Sequence, residues 1–187
     1  MTLFVSPDRQ VGVSLEPAAL RKILREAARA GRRETGGILI GHYTQWHDRA
    51  TITEATPPPS DSQREATAFL RGIAGLGRLL ERRWDKGLHY VGDWHFHPYA
   101  AADPSPRDIA QMRAFANDPH YQCARPVLIV IGGDPHTTWT LEVRVLGGPG
   151  PIRLTEATPG IFVSACDETP SRSGPSQSRA RVSRFSS

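Results

Sequence analysis

The chain has 187 residues, of which 39% are hydrophobic, and its 23 basic and 19 acidic side chains give a formal net charge of +4. This length is enough for one domain with a buried core. Two cysteines are too few for a disulfide scaffold or an all-thiolate zinc site, and they indicate a reducing compartment. Because we find neither a signal-peptide pattern nor a membrane-spanning apolar run, we expect a cytoplasmic protein.

The excess of basic charge lies in the C-terminal segment. Residues 169–187 contain four arginines and no acid, so residues 1–168 have 19 basic and 19 acidic side chains. This segment is rich in serine, proline and glycine, which predicts a folded domain over residues 1–165 and a disordered basic tail over residues 166–187. Such a tail can also bind nucleic acid or an acidic partner, but a solvated end is the simpler interpretation.

The apolar patterns predict helices that alternate with strands. The predicted elements are, in chain order, an edge strand within 3–15, a helix over 17–30, a hairpin of strands 35–43 and 50–55, a loop over 57–61, a helix over 69–84, a strand over 88–97, a loop over 100–104, a helix over 105–117, and strands over 126–131 and 139–146. This order predicts one mixed α/β (α+β) domain.

Two histidines separated by one residue lie at the end of the predicted strand 88–97. Side chains alternate along a strand, so His95 and His97 share one face while Phe96 points to the other. A loop then leads to a helix whose first turn carries Asp108. Two imidazoles and a carboxylate suit zinc better than calcium or magnesium. They also leave a fourth zinc position open for water, which is typical of catalytic sites.

Each of these residues also has an interpretation without chemistry. His95 and His97 can be an ordinary half-buried pair. Ser105 and Asp108 form a capping-box pattern with proline at the first helical position, and this cap would itself aim Asp108. Glu34 can be a base or a surface acid that follows a basic helix end. Spacing alone leaves these alternatives open.

Three segments together resemble the JAMM zinc metalloprotease family, also called MPN+ or JAB. They are Glu34 followed by Gly36-Gly37-x-Leu39-x-Gly41, then His95-x-His97-Pro98, then Ser105-x-x-Asp108. The resemblance implies a single JAB/MPN domain, with a mixed central sheet flanked by helices as in cytidine deaminases. The order of elements over residues 3–150 is consistent with that fold.

The resemblance also implies a role for each of the matching positions. His95, His97 and Asp108 would hold one Zn²⁺ per chain, Glu34 would be the general base, and Ser105 would help to hold the scissile carbonyl oxygen. The family usually has serine or threonine where this chain has Phe96. Because Phe96 should face away from the metal, we expect it to pack and not to disable catalysis.

The family cuts isopeptide or peptide bonds beside ubiquitin or ubiquitin-like proteins. The sequence around His95 is similar to a short bacterial branch that includes deconjugating proteases of CBASS anti-phage operons. The resemblance therefore implies a ubiquitin-like protein or its conjugate as substrate, with E1- and E2-like operon partners. Two alternatives stay open: a peptidase that acts on a sulfur-carrier protein, and a non-catalytic scaffold or binding module.

Overall fold

The computed structural model describes residues 1–119, 121–148 and 150–157, which contain three helices and ten strands. The helices are α1 (Pro17–Ala30), α2 (Leu76–Trp84) and α3 (Pro106–Asn117). The strands are β1 (Thr2–Val5), β2 (Gly12–Leu15), β3 (Thr35–Tyr43), β4 (Arg49–Ala55), β5 (Gln63–Arg64), β6 (Phe69–Leu70), β7 (His89–Pro98), β8 (Val127–Gly133), β9 (Trp139–Val145) and β10 (Ile152–Glu156). The domain boundary predicted at residue 165 and the predicted tail lie outside the described residues.

Eight of the strands form one closed sheet in the order β1-β10-β9-β8-β7-β3-β4-β2. The pairs β2–β4 and β7–β8 are parallel, and the other neighbours are antiparallel. Strands β5 and β6 pair only with each other, as a short hairpin between β4 and α2. The architecture confirms the predicted mixed α+β fold, with the central sheet closed into a barrel.

The first helix and the hairpin after it form as the sequence predicts. Helix α1 has a proline in its first turn and ends at Gly31, whose φ of 63° is readily adopted only by glycine. Its buried face includes Ala19, Ile23 and Ala27, at helical spacing. Strands β3 and β4 pair antiparallel, from Leu39 opposite Ala55 to Tyr43 opposite Ala50.

Two predicted elements differ from the structure, and one further strand of the main sheet was missed. Residues 3–15 form two strands, because the chain turns between Ser6 and Val11 and β1 pairs antiparallel with β2. The helix predicted over 69–84 begins only at Leu76, since β6 pairs with β5 and the Asp61 carboxylate accepts the amides of Ile73 and Ala74. Strand β10 was not predicted.

The two faces of β7 pack against different layers. Trp94 and Phe96 are almost fully buried in the main hydrophobic cluster inside the sheet. Phe96 therefore packs in the core, as predicted from strand alternation. His95 and His97 lie on the opposite face, towards α3. The strand thus separates a dry apolar core from a polar face.

A bulge in β7 precedes the two histidines. Leu39 pairs with Gly92, whereas the next residue, Ile40, pairs with Tyr90, so β7 has one extra residue at this point. Gly92 has a φ of 152°, and a Cβ there would lie 1.8 Å from the carbonyl oxygen of Val127. Only glycine allows β7 and β8 to approach so closely here.

No helix in the described residues is long and apolar enough to cross a membrane.

Candidate active site

The end of β7 and the first turn of α3 bring three candidate metal ligands together. His95 and His97 come from β7, and Asp108 comes from α3. One ligand atom from each of the three lies within 4.8 Å of the other two. All three residues are buried, with exposures of 1%, 9% and 6%. The sequence-predicted ligand set is therefore one spatial cluster.

The distances in this cluster are suitable for a small cation. His95 Nδ1 lies 2.8 Å from Asp108 Oδ1, and His97 Nε2 lies 3.5 Å from Asp108 Oδ2. Two ligands on a tetrahedral zinc ion with bonds of about 2.0–2.1 Å are separated by about 3.3 Å. His95 Nε2 is also buried without a hydrogen-bond partner among the described residues. The ligand types and their spacing fit a metal ion.

The predicted capping box is present and orients Asp108. The Ser105 amide and hydroxyl each donate to Asp108 Oδ2 at 2.7 Å, and the Asp108 amide donates to Ser105 Oγ at 3.2 Å. Asp108 Oδ1 remains directed at His95. Asp108 is therefore both the third helical residue of the capping box, whose N-cap is Ser105, and a candidate ligand, so the two interpretations of this motif are compatible.

Asp108 is held in its ionised form. Burial raises the pKa of its carboxyl group, but hydrogen bonds from His95, His97 and Ser105 outweigh burial and keep this pKa well below its usual range. A carboxylate must be ionised to bind a metal. The surroundings of Asp108 thus favour the state that a metal needs.

Glu34 shares a cleft with the cluster. It lies in the loop between α1 and β3, is half-buried, and its amide donates to the carbonyl oxygen of Glu65 at 2.7 Å. Burial is the main cause that raises the pKa of its carboxyl group; the Asp108 charge adds to it and the His97 charge opposes it. A carboxyl group in this setting can exchange protons nearer neutral pH than an exposed glutamate.

The cleft has a volume of about 360 Å³, and its two sides come from different segments. Residues 66–69, which we call the cleft wall, form one side. The loop between β7 and α3 forms the other side through Pro98, Ala100, Ala101 and Asp103, and Glu34, His97, Ser105, Arg107 and Asp108 lie between them. The structure therefore brings four of the five predicted site residues to the cleft surface, with His95 behind them.

The cleft wall was not predicted to contribute to the site. Phe69 is buried, and its ring stands edge-on to the His95 ring, with centroids 5.4 Å apart and planes at 84°. Gly36 leaves room for both rings, because a Cβ there would lie 2.7 Å from Phe69 Cε1 and 3.0 Å from His95 Cδ2. The sequence gives no signal for Phe69, since this contact depends on a turn far from β7 in the chain.

Gly132 allows the β7–α3 loop to lie against β8. A Cβ at Gly132 would come within 2.4 Å of the Ala102 nitrogen and 2.5 Å of the Ala100 oxygen. We expect Gly132→Ala to push this loop outward and displace Asp108, which should weaken zinc binding by about tenfold or more. Competition with a chelating dye measures this affinity.

Gly77→Ala is the matched control for this substitution. A Cβ at Gly77 meets nothing within 4 Å, so its zinc affinity should equal that of the unmodified protein. A folded Gly132→Ala variant with unchanged zinc affinity would show that the loop does not position Asp108.

The closed α+β sheet thus presents a candidate metal site of two histidines and an aspartate in a cleft. The family match and the relatives given next identify the protein as a hydrolase of the metalloprotease class. Residues 16–142 match the model of the family described as prokaryotic homologs of the JAB domain. This match covers more than half of the chain, and the protein belongs to that family.

Relatives and a solved structure agree with this assignment. The "CD-NTase/cGAS isopeptidase" of Enterobacter hormaechei subsp. hoffmannii is 43% identical over 82% of this chain and 86% of the relative. A Thermus thermophilus protein named "Probable TtuB-protein conjugate cleaving protease" is 32% identical over 36% of this chain and 46% of the relative. A Desulfitobacterium hafniense protein with a known solution structure shares the fold, with a TM-score of 0.58, 19% identity and coverage of 75% and 88%.

Proposed function

We propose that this protein is a zinc-dependent isopeptidase or peptidase that cleaves after the C-terminus of a ubiquitin-like protein. The observation that carries the proposal is the cluster of His95, His97 and Asp108 in one cleft with Glu34. The names of the two relatives, an isopeptidase and a conjugate-cleaving protease, support a substrate of this class.

In this proposal the two histidines and Asp108 hold one Zn²⁺ per chain. A zinc ion held there would polarise the scissile carbonyl and lower the pKa of a bound water to about 7. Glu34 accepts the proton from the attacking water and delivers one to the leaving amine. Its half-buried position and raised pKa are suited to both steps, because the same carboxyl group must gain and then lose a proton.

Ser105 would hold the carbonyl oxygen as negative charge develops on it. Its hydroxyl now donates to Asp108 Oδ2, but the Ser105 amide donates to the same oxygen at the same distance of 2.7 Å. The hydroxyl can therefore turn towards the substrate while the amide keeps the carboxylate in place. Such a donor stabilises the tetrahedral oxyanion.

The shape of the cleft supports an extended substrate. Ala66 and Ala68 give the cleft wall small side chains, and the opposite side is lined by Ala100 and Ala101. An extended, glycine-rich tail, as found at the end of ubiquitin-like proteins, suits a cleft lined by such small side chains. The favoured substrate is thus the tail of a ubiquitin-like protein, free or conjugated.

We also propose the cellular system in which this enzyme acts. The relative's name, which joins an isopeptidase to a CD-NTase, supports a role in a bacterial anti-phage system that resembles ubiquitination. E1- and E2-like partners in the same operon stay a prediction. Zinc as the specific metal, the cytoplasmic location and the basic tail after residue 165 stay predictions.

Metal analysis combined with a cleavage assay tests the proposed function. We expect about one zinc per purified chain. The substrate is a fusion of a ubiquitin-like protein, encoded beside the gene for this chain, to a second protein, and we expect cleavage after the C-terminus of the ubiquitin-like part. A chelator should stop cleavage, and added zinc should restore it. A fusion with proline in place of the terminal glycine is the matched control and should stay intact. A zinc-loaded chain that leaves the first fusion uncut would contradict this substrate.

A further inference from the structure

The cleft wall is part of a small hairpin that is separate from the main sheet. Strands β5 and β6 share only two residue pairs, Gln63 with Leu70 and Arg64 with Phe69. The Glu34 amide, in the loop before β3, donates to the carbonyl oxygen of Glu65 in the turn of this hairpin. So short a hairpin is not stable alone. Its place beside the candidate metal ligands therefore also depends on side-chain contacts.

Arg71, one residue after β6, makes the strongest of these contacts. Its side chain and that of Asp93 on β7 are fully buried, and Arg71 Nε donates to Asp93 Oδ2 at 2.6 Å. Arg71 Nη2 donates to the Tyr121 hydroxyl at 3.0 Å, and Nη1 donates to the Gly72 carbonyl at 3.2 Å. The Tyr90 hydroxyl donates to Asp93 Oδ1 at 2.8 Å. Every nitrogen of the guanidinium group and both carboxylate oxygens therefore have partners.

The arginine is also enclosed by aromatic rings. Its guanidinium carbon lies 4.5 Å from the centroid of the Phe115 ring on α3 and 5.7 Å from that of Tyr121. The planar guanidinium group stacks on aromatic faces and binds carboxylates in a fixed geometry, whereas a lysine ammonium does neither. The contacts of Arg71 thus fix an orientation as well as neutralise a charge.

The Arg71–Asp93 pair lies next to the candidate metal ligands along β7. Phe69 contacts His95, and Arg71, two residues later, contacts Asp93, two residues earlier on β7. Residues two apart on an extended chain share a face. The segment 69–71 therefore runs antiparallel along the outer face of β7, and the Arg71–Asp93 pair sets where Phe69 meets His95.

We infer that Arg71 is a positioning residue that holds the cleft wall in its substrate-binding place before any partner binds. The inference rests on the proposed function, because it concerns how the same cleft receives a ubiquitin-like tail. A buried ion pair is often no more stabilising than apolar packing, and its best-attested use is to select one arrangement. If the cleft wall is already ordered, binding of the tail does not have to offset the entropic cost of ordering the wall.

Arg71→Lys in the full chain tests this role. Lysine keeps the charge beside Asp93 but loses the bonds to Tyr121 and Gly72. For the ubiquitin-like fusion we expect KM to rise by about tenfold or more, while kcat stays within about threefold, since lost pre-organisation weakens binding more than chemistry. Zinc content should stay at that of the unmodified chain, and amide hydrogen exchange over residues 64–70 should become faster.

Two further variants separate positioning from general stability. Arg83→Lys is the matched control: Arg83 Nε contacts both oxygens of Glu54, and this pair joins α2 to β4 away from the cleft. It should leave KM, kcat and exchange over 64–70 unchanged. Tyr121→Phe removes one partner of Arg71 and should shift KM and exchange in the same direction as Arg71→Lys, by less.

Hydrogen exchange tests the role of Arg71 even if the proposed cleavage activity is absent. Failure of the unmodified, zinc-loaded chain to cleave would overturn the proposed function, and the exchange data would still decide whether Arg71 orders the wall. Unchanged exchange over residues 64–70 in a folded Arg71→Lys variant would overturn the inference. Equal changes in KM for Arg71→Lys and Arg83→Lys would also overturn it.

Discussion

Glu34→Gln is expected to lose nearly all cleavage while it keeps its metal. Glutamine has nearly the same size and shape, but its neutral amide cannot take a proton from water. Positioned acid–base groups contribute about 10²–10⁴-fold to rate, and Glu34 is proposed to act twice in each turnover, so we expect a loss of about 10³-fold or more. Single-turnover cleavage of the ubiquitin-like fusion measures it, with zinc counted on the same sample.

Glu65→Gln is the matched control for this substitution. Glu65 lies in the same cleft region and is exposed, and its contact with Glu34 is made by its backbone carbonyl, which the substitution keeps. Its turnover should equal that of the unmodified chain. If Glu34→Gln cleaves as fast as Glu65→Gln, another group is the base and the mechanism is wrong.

The candidate site was predictable because each of its parts is local in sequence. Strand alternation alone places His95 and His97 on one face and Phe96 in the core. The capping box places Asp108 in the first turn of α3, as its sequence pattern predicts. The resemblance then joins these two segments to Glu34. Nothing in this prediction required knowledge of contacts between distant parts of the chain.

The cleft wall shows where sequence reasoning fails. Leucines and isoleucine at helical spacing favoured a helix over 69–84, but the part before Leu76 is extended. Glycines at 72 and 75 weaken the helix, and the second has a φ of 77°. The contacts that hold this segment are the β5–β6 pairing, the bonds to Asp61, and the contact of Arg71 with Asp93, 22 residues away in sequence. Local propensity does not report a pair of residues so far apart in sequence. Tertiary contacts therefore decide the conformation of the segment before Leu76.

The main sheet shows the same limit. Strand β10 is five residues long, and it pairs both with β9, the strand before it in sequence, and with β1 at the other end of the chain. Gly92, beside the bulge in β7, is likewise required by the close approach of Val127 on β8. Both features depend on pairing between strands, and closure of the sheet is a property of all eight strands together.

Asp108→Asn is expected to abolish metal binding while it leaves α3 in place. The asparagine oxygen can still accept the Ser105 amide, so the helix cap survives. The negative charge is lost, however, and with it the carboxylate that the surroundings keep ionised. Altered partners of metal ligands cost about 10–100-fold in affinity, so the loss of a ligand charge should exceed about 100-fold and remove cleavage with it. Zinc titration and thermal unfolding measure the two effects on one sample.

Comparison with two neighbouring substitutions assigns the loss to the ligand and not to the cap. Asp108→Ala removes both the ligand and the acceptor of the capping box, so it should lose zinc as Asp108→Asn does and also about 1 kcal/mol of stability from the lost hydrogen bonds to Ser105. Ser105→Ala removes the hydroxyl of the cap but no ligand, so it should keep zinc and cleave more slowly. Zinc retention by Asp108→Asn would contradict a ligand role for Asp108 and leave it as a helix cap. Loss of zinc in Ser105→Ala would mean that the cap itself builds the metal site, because the orientation of Asp108 then depends on that hydroxyl.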